Sequence, residues 1–246
     1  MQRQLDGGAV IRRVFDIYVE QSSVLMPAAA VVFVVTEIIT SLLVAANASL
    51  ALVALLIDLV AKAVFTGMIV ELVADLRDGR RDASVGQLLR AVSPVLGQLI
   101  LVAVVAGVAV LVGLFLVVVP GLILLTIWSV FAPVVVLERL PGLRALGRSR
   151  ELVRGSGWQV FGVVFVFVIL LAIVSDAIVL AAGSAGSGAE IVARVVVGVL
   201  AAPLSALAAA VLYFELRDLR APGGGAPAPD EGVGPFQSGP FPPSQP

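Results

Sequence analysis

Residues 91–137 read AVSPVLGQLILVAVVAGVAVLVGLFLVVVPGLILLTIWSVFAPVVVL and contain no charged side chain. One helix of this length would extend about 70 Å, whereas the hydrocarbon core of a bilayer is about 30 Å thick. The stretch must therefore fold back. Because proline and glycine interrupt helices, we place the reversal at residues 119–121 (Val-Pro-Gly), between spans at Val95–Val118 and Leu122–Leu137. The second of these is short and contains Pro133, so we expect it to be tilted, kinked or incompletely crossing.

The same length rule places four further spans on either side of this hairpin. The chain of 246 residues is 60% apolar and 13% charged, with a mean hydropathy of +1.10, whereas soluble domains are about half apolar and about a quarter charged. The sequence therefore predicts an all-α polytopic membrane protein with six transmembrane helices. The outer four are predicted at Val24–Ala45, Leu50–Ala74, Trp158–Ala182 and Ile191–Phe214.

Several kinds of chemistry are excluded by composition. The chain has no cysteine and no histidine, which removes disulfides, thiolate chemistry and the commonest metal ligand and acid–base group. It has no nucleotide-binding Walker motif and no nucleophile-elbow motif. A net charge of −1 gives no overall field that would attract nucleic acid. We therefore predict no cofactor, no metal, no nucleic-acid partner and no enzymatic activity. An intramembrane enzyme would require a pair of acids facing one cavity.

The basic residues predict the orientation. Apart from Lys62 and Arg194, all of the 16 basic residues lie before span 1, between spans 2 and 3, between spans 4 and 5, or after span 6. By the positive-inside rule these segments and both termini are expected in the cytoplasm. The chain has 15 arginines and one lysine and is rich in Ala, Val and Gly, which is typical of a GC-rich bacterial genome. We therefore expect the plasma membrane of a bacterium.

A short amphipathic segment precedes each odd-numbered span. The sequence predicts three repeats of an interfacial helix followed by a two-span hairpin, at residues 8–76, 84–137 and 142–216. These helices either lie in the cytoplasmic leaflet interface, with arginines among anionic headgroups, or pack as connectors against the underside of the bundle, and both can hold. The candidate contacts to anionic lipid are Arg12, Arg13, Arg144, Arg148 and Arg154.

Residues 221–246 differ in kind from the transmembrane domain at residues 1–220. They contain 8 prolines and 6 glycines, two acids and no base, so they cannot build a core. The sequence predicts a disordered cytoplasmic tail. The tail either binds a protein partner through its repeated Gly-Pro-Phe or is simply solvated.

Ionisable residues within spans are costly and therefore indicate a functional site. Glu37, Asp58 and Lys62 are expected at a similar depth in the outer half of the membrane, and Asp176 of span 5 at a comparable depth. They predict either a polar cavity for a proton, an ion or a lipid headgroup, or mutually neutralised pairs that fix helix register. Glu190 and Arg194 are four residues apart. They open span 6 and are expected at headgroup level.

One set of motifs resembles a known family. The stretches are APVVVLE at residues 132–138, LGRS at 146–149, LVRG at 152–155 followed by Trp158, and LYFELR at 212–217. They resemble a bacterial family of six-span proteins called glycerophosphoryl diester phosphodiesterase membrane domain proteins. In some proteins this membrane region is fused to a phosphodiesterase. The resemblance covers residues 8–220 and implies the membrane module alone, with no catalytic residue carried over.

Two functions are consistent with these observations. The first is a non-enzymatic membrane module that organises lipids or a partner protein at the cytoplasmic leaflet, because the arginines, the amphipathic segments and the tail share that face. The alternative is a small transporter or permease-like subunit that uses the charges in the outer half of spans 1, 2 and 5. Lipids are the expected partners in either case, and the sequence does not predict an oligomeric state.

Overall fold

The described part of the chain is entirely helical. A computed structural model describes residues 5–79, 85–140 and 142–220, and these residues contain no strand and six segments long and apolar enough to cross a membrane. The prediction of an all-α integral membrane protein is thereby confirmed. The tail at residues 221–246 lies outside the described residues. Spans 1 to 6 occupy Ser22–Ala46, Ala48–Arg77, Val85–Leu116, Val118–Glu138, Gly157–Gly183 and Ser187–Arg220.

The reversal between spans 3 and 4 lies upstream of the predicted turn. The last helix of span 3 is α5 (Leu96–Leu116), and the first helix of span 4 is α6 (Val118–Ile127). Val117 between them is extended. Pro120 therefore lies in the first turn of α6, where its missing N–H has no helical partner to lose. Gly121 permits close contact between the two helices, since a Cβ on it would lie 2.6 Å from the backbone nitrogen of Leu114. The placement of the turn at residues 119–121 was wrong.

Span 4 is broken, but not at its proline. It consists of α6 (Val118–Ile127) and α7 (Phe131–Glu138), separated by a turn at residues 128–130. A proline ring clashes with the carbonyl group four residues earlier. For Pro133 that carbonyl belongs to Ser129, so the helix is interrupted before the proline and restarts around it.

Two short helices precede spans 1 and 5, a third forms the first part of the span 3 segment, and all three pack against one end of the bundle. Helix α1 (Gly7–Glu20) buries Val10 and Val14 against spans 5 and 6. Helix α4 (Val85–Val92) buries Leu88 against span 2, and α8 (Arg144–Val153) buries Leu152 against spans 4 and 6. The interpretation as connectors against the underside is therefore supported by contacts. The equivalence of three repeats stays a prediction. Helices α2 (Ser22–Ala46) and α3 (Ala51–Arg77) form spans 1 and 2.

This end of the bundle, here called the basic end, is tied together by polar contacts. Arg77 at the end of span 2 pairs with Asp218 near the end of span 6 at 2.7 Å. The guanidinium group of Arg220 donates hydrogen bonds to the backbone oxygens of Leu152 and Arg154 beside α8. The buried core is concentrated here, in the second halves of spans 2 and 6 together with α7 and α8.

Spans 5 and 6 each contain an irregular feature near the middle of the span. Span 5 consists of α9 (Gly157–Val164), a π-helical segment at Phe165–Leu170 and α10 (Leu171–Gly183). Helix α11 (Ser187–Arg220) forms span 6 and contains Pro203. Proline leaves backbone carbonyls without a helical donor. Tyr18 of α1 donates a hydrogen bond to one nearby carbonyl, that of Leu200, at 3.1 Å.

Candidate functional site

The opposite end of the bundle opens into a cleft of about 850 Å³, between spans 1, 2, 5 and 6. The main neighbour of α10 is α11, and none of the α10 residues is buried. Helix α11 also packs against spans 1 and 2. It therefore forms the back of the cleft, with α10 on one side and spans 1 and 2 on the other.

The four residues of the predicted intramembrane polar cluster line this cleft. They are Glu37 on span 1, Asp58 and Lys62 on span 2, and Asp176 on α10. Counted from the open ends of their helices and at 1.5 Å per residue, they lie roughly 10 to 17 Å into the bundle. The similar depth expected from the sequence therefore corresponds to a similar level on the facing walls of one cleft.

Asp58 and Lys62 form an ion pair, but they are not buried inside the protein. The Lys62 Nζ atom lies 2.7 Å from Asp58 Oδ2, and the two side chains are 58% and 35% exposed. The four-residue spacing on one helix face brings the two groups together. They neutralise each other while both face the cleft.

Arg194 is the cleft residue whose role was not anticipated. Its Nη2 atom lies 2.5 Å from Glu190 Oε1, and its Nε atom lies 3.9 Å from Glu37 Oε1. Glu190 and Arg194 were expected at headgroup level because the predicted span 6 begins at Ile191. Helix α11 begins four residues earlier, and Arg194 therefore lies about 10 Å from its open end, at the depth of Glu37.

Asp176 differs from the other acids of the cleft. Among the described residues it has no hydrogen bond and no ion pair, although it is close enough to Arg194 for an electrostatic interaction. Glu37, by contrast, accepts a hydrogen bond from Ser41 at 3.1 Å. Asp176 therefore presents a carboxylate to the cleft that no side chain of the described residues satisfies.

The deep part of the cleft is apolar and aromatic. The rings of Phe33 and Phe65 meet edge to face with centroids 5.4 Å apart, and Phe167 of the π-helical segment lines the same region. Gly198 lies where a Cβ would come within 3.4 Å of the Phe33 ring. The cleft thus has charged walls above an aromatic floor.

The five arginines that the sequence offers as lipid contacts do not behave alike. Arg12, Arg13, Arg144 and Arg154 are exposed on the short helices of the basic end or directly beside them. Arg148 instead pairs with Glu138, at 3.0 Å, and with Glu151, at 3.4 Å. Burial lowers the pKa of Arg148, but these two carboxylates more than offset that effect, so the pKa is raised. Arg148 holds α8 to the end of span 4.

A second polar cluster joins α7, α8 and α11 at the basic end. Glu138 accepts a hydrogen bond at 3.1 Å from the hydroxyl of Tyr213, whose side chain is fully buried, and also binds Arg148. The residues of this cluster belong to motifs singled out in the sequence, but their mutual contact was not predicted. Their separation of up to 75 residues along the chain leaves no local signal.

The described residues contain no group of three or more acidic side chains placed to hold a metal ion. No family model, curated protein or solved structure shows a significant match to the chain. The resemblance to the glycerophosphoryl diester phosphodiesterase membrane domain family therefore stays a prediction.

Proposed function

We propose that this integral membrane protein is a small transporter or permease-like subunit that admits a polar or charged solute to the cleft. The observation that carries this proposal is the convergence of charged side chains from spans 1, 2, 5 and 6 on one open cavity. A volume of about 850 Å³ is suited to a small molecule, since ligand pockets are commonly 300–1,000 Å³.

The physical argument rests on the exposure of these charges. An ionised side chain within the hydrocarbon is costly unless it is paired in the protein interior or faces water. The Lys62 side chain is 58% exposed and that of Arg194 is 49% exposed. Pairs that served only to fix helix register would be enclosed by neighbouring helices. Exposure toward the cleft favours a water-filled space.

The natural absence of cysteine allows a direct test of this water-filled space. Ser175→Cys places a thiol in the cleft on α10, and Ile173→Cys places one at nearly the same depth on a face that does not line it. Ser41→Cys and Leu42→Cys provide the same comparison on span 1. The reagents are two membrane-impermeant thiosulfonates of opposite charge, applied to intact cells and to inverted vesicles.

We expect the two cleft thiols to react with at least one reagent and the two matched thiols to react with neither. Labelling in intact cells would place the cleft on the outer face, and hence the basic end in the cytoplasm, as the arginine distribution predicts. If the cleft thiols are as unreactive as their controls from both sides, the cleft is dry and the proposed function is wrong.

A second candidate function is the organisation of anionic lipid at the basic end. It is favoured by the exposure of Arg12, Arg13, Arg144 and Arg154, each near the membrane surface expected for the short helices. Energy transfer from Trp158 to a labelled phosphatidylglycerol in mixed vesicles would report lipid enrichment. We expect Gln substitution of the four arginines together to reduce the transfer. Unchanged transfer would refute lipid organisation by these residues.

A further inference from the structure

The cleft contains more negative than positive charge. Its described lining includes four carboxylates and two basic groups, which gives a formal charge of −2. The basic groups are Lys62 and Arg194, and the carboxylates are Glu37, Asp58, Asp176 and Glu190.

The pairing within the cleft locates this excess. Lys62 is engaged by Asp58 at 2.7 Å. Arg194 is therefore the remaining cation, and it is shared among Glu190 at 2.5 Å, Glu37 at 3.9 Å and the more distant Asp176. One guanidinium group faces three carboxylates, of which Asp176 is the one without an ion pair in the described structure.

Uncompensated charge in a low-dielectric surrounding strongly attracts a group of opposite sign. We propose that the cleft binds an organic cation with an apolar body, with Asp176 as its counter-charge. This inference rests on the proposed function, because it specifies the class of solute that the cleft admits. The cationic group lies against the α10 wall, and the apolar body lies against the exposed apolar side chains of the cleft.

The dimensions and the lining of the cleft favour an organic ion over a metal ion. A volume of about 850 Å³ far exceeds the space of one ion, and the described residues provide no cluster of acidic ligands. Exposed apolar side chains of the lining, among them Leu55, Val168 and Ile191, offer apolar surface for the body of the ligand.

The test uses two ions of nearly equal shape and opposite charge, tetraphenylphosphonium and tetraphenylborate. Their binding to the full chain is measured by equilibrium dialysis in phosphatidylcholine nanodiscs, with protein-free nanodiscs subtracted. The variant is Asp176→Asn, and the control is Asp16→Asn on the exposed face of α1, outside the cleft. The melting temperature of each variant establishes that it is folded.

We expect saturable binding of tetraphenylphosphonium, at least tenfold weaker binding by Asp176→Asn, and no change in Asp16→Asn. Equal binding of the two ions, no saturable binding of the cation, or an unchanged Kd in Asp176→Asn would each overturn the proposal. In those cases, labelling of Ser175→Cys would still support a cleft that admits solutes. Only the proposed class of ligand would then be wrong, and the proposed function would stand. If the cleft thiols also fail to react, both are wrong.

Discussion

Removing the hydroxyl group of Tyr213 tests whether the polar cluster at the basic end holds the last span to α7 and α8. Tyr213 is fully buried and donates its hydrogen bond to Glu138, which also binds Arg148. Tyr213→Phe keeps the ring and its edge-to-face contact with Phe214. The substitution therefore removes one hydrogen bond and changes the packing little.

The expected loss of stability follows from the charge of the acceptor. A hydrogen bond to an ionised group contributes about 1.5–3 kcal/mol, whereas one between neutral groups contributes about 0.5–1.5 kcal/mol. Tyr213→Phe should therefore lower the free energy of unfolding by about 2 kcal/mol. Tyr18→Phe is the comparison variant, because the partly buried Tyr18 donates to the neutral carbonyl of Leu200 at the same distance, 3.1 Å. Its loss should be about 1 kcal/mol.

Unfolding in mixed micelles of dodecyl maltoside and dodecyl sulfate measures both variants against the unmodified chain. The fluorescence of Trp128 and Trp158 reports the transition, and Trp128 lies in the break of span 4 next to α8. A double variant with Glu138→Ala measures the coupling, which should be at least 1 kcal/mol. Two results together would refute the importance of this cluster. One is an equal loss of unfolding free energy in Tyr213→Phe and Tyr18→Phe, and the other is additivity of Tyr213→Phe and Glu138→Ala in the double-mutant cycle.

Further substitutions test other features by the same unfolding assay. Gly121→Ala should cost roughly 1–3 kcal/mol, because the added Cβ meets the backbone of Leu114, and an unchanged stability would contradict the close contact of spans 3 and 4. Ser149→Ala should lower the free energy of unfolding by about 1 kcal/mol, because the buried hydroxyl of Ser149 donates a hydrogen bond to the end of α6. Ser129→Ala should be neutral or stabilising, because the Ser129 hydroxyl is buried without a described partner. The reverse order of the two effects would refute this assignment. Burial raises the pKa of Tyr18 above its usual 10.0. The contribution of Tyr18 to stability is therefore present below about pH 10 and is lost as the pH rises through the pKa of the folded state. Tyr18→Phe should reduce the fall in the free energy of unfolding at alkaline pH, and an identical fall would contradict this.

The spans could be predicted because a bilayer imposes a length and a hydropathy on each helix. The same rule set the depth of Glu37, Asp58 and Asp176, since depth depends only on distance along a helix from its end. It did not set which way each side chain points. That direction depends on how a helix is rotated against its neighbours, and span 1 packs against span 6, more than 100 positions away, as well as against span 2.

The two prolines of the central hairpin lie after the helix breaks rather than at them. The sequence placed the reversal at residues 119–121, although Pro120 lies in the first turn of α6. The expected irregularity of span 4 is present, and it lies before Pro133, which is in the first turn of α7. A proline is tolerated in the first turn of a helix, so the interruption lies in the residues that precede it. Arg194 was expected at headgroup level because the predicted span 6 begins at Ile191, whereas residues 187–190 form the first turn of α11.

The π-helical segment at Phe165–Leu170 determines which surface of span 5 meets the cleft. Its hydrogen bonds span one residue more than those of an α-helix, so it holds an inserted residue relative to a regular helix. Each residue of an α-helix turns the chain by about 100°. If the same six residues formed a regular α-helix, α10 would be turned by about that angle relative to α9. Asp176 would then point where Ala177 now points, on a face that does not line the cleft, so the wider turns of this segment keep the charge of span 5 toward the cleft.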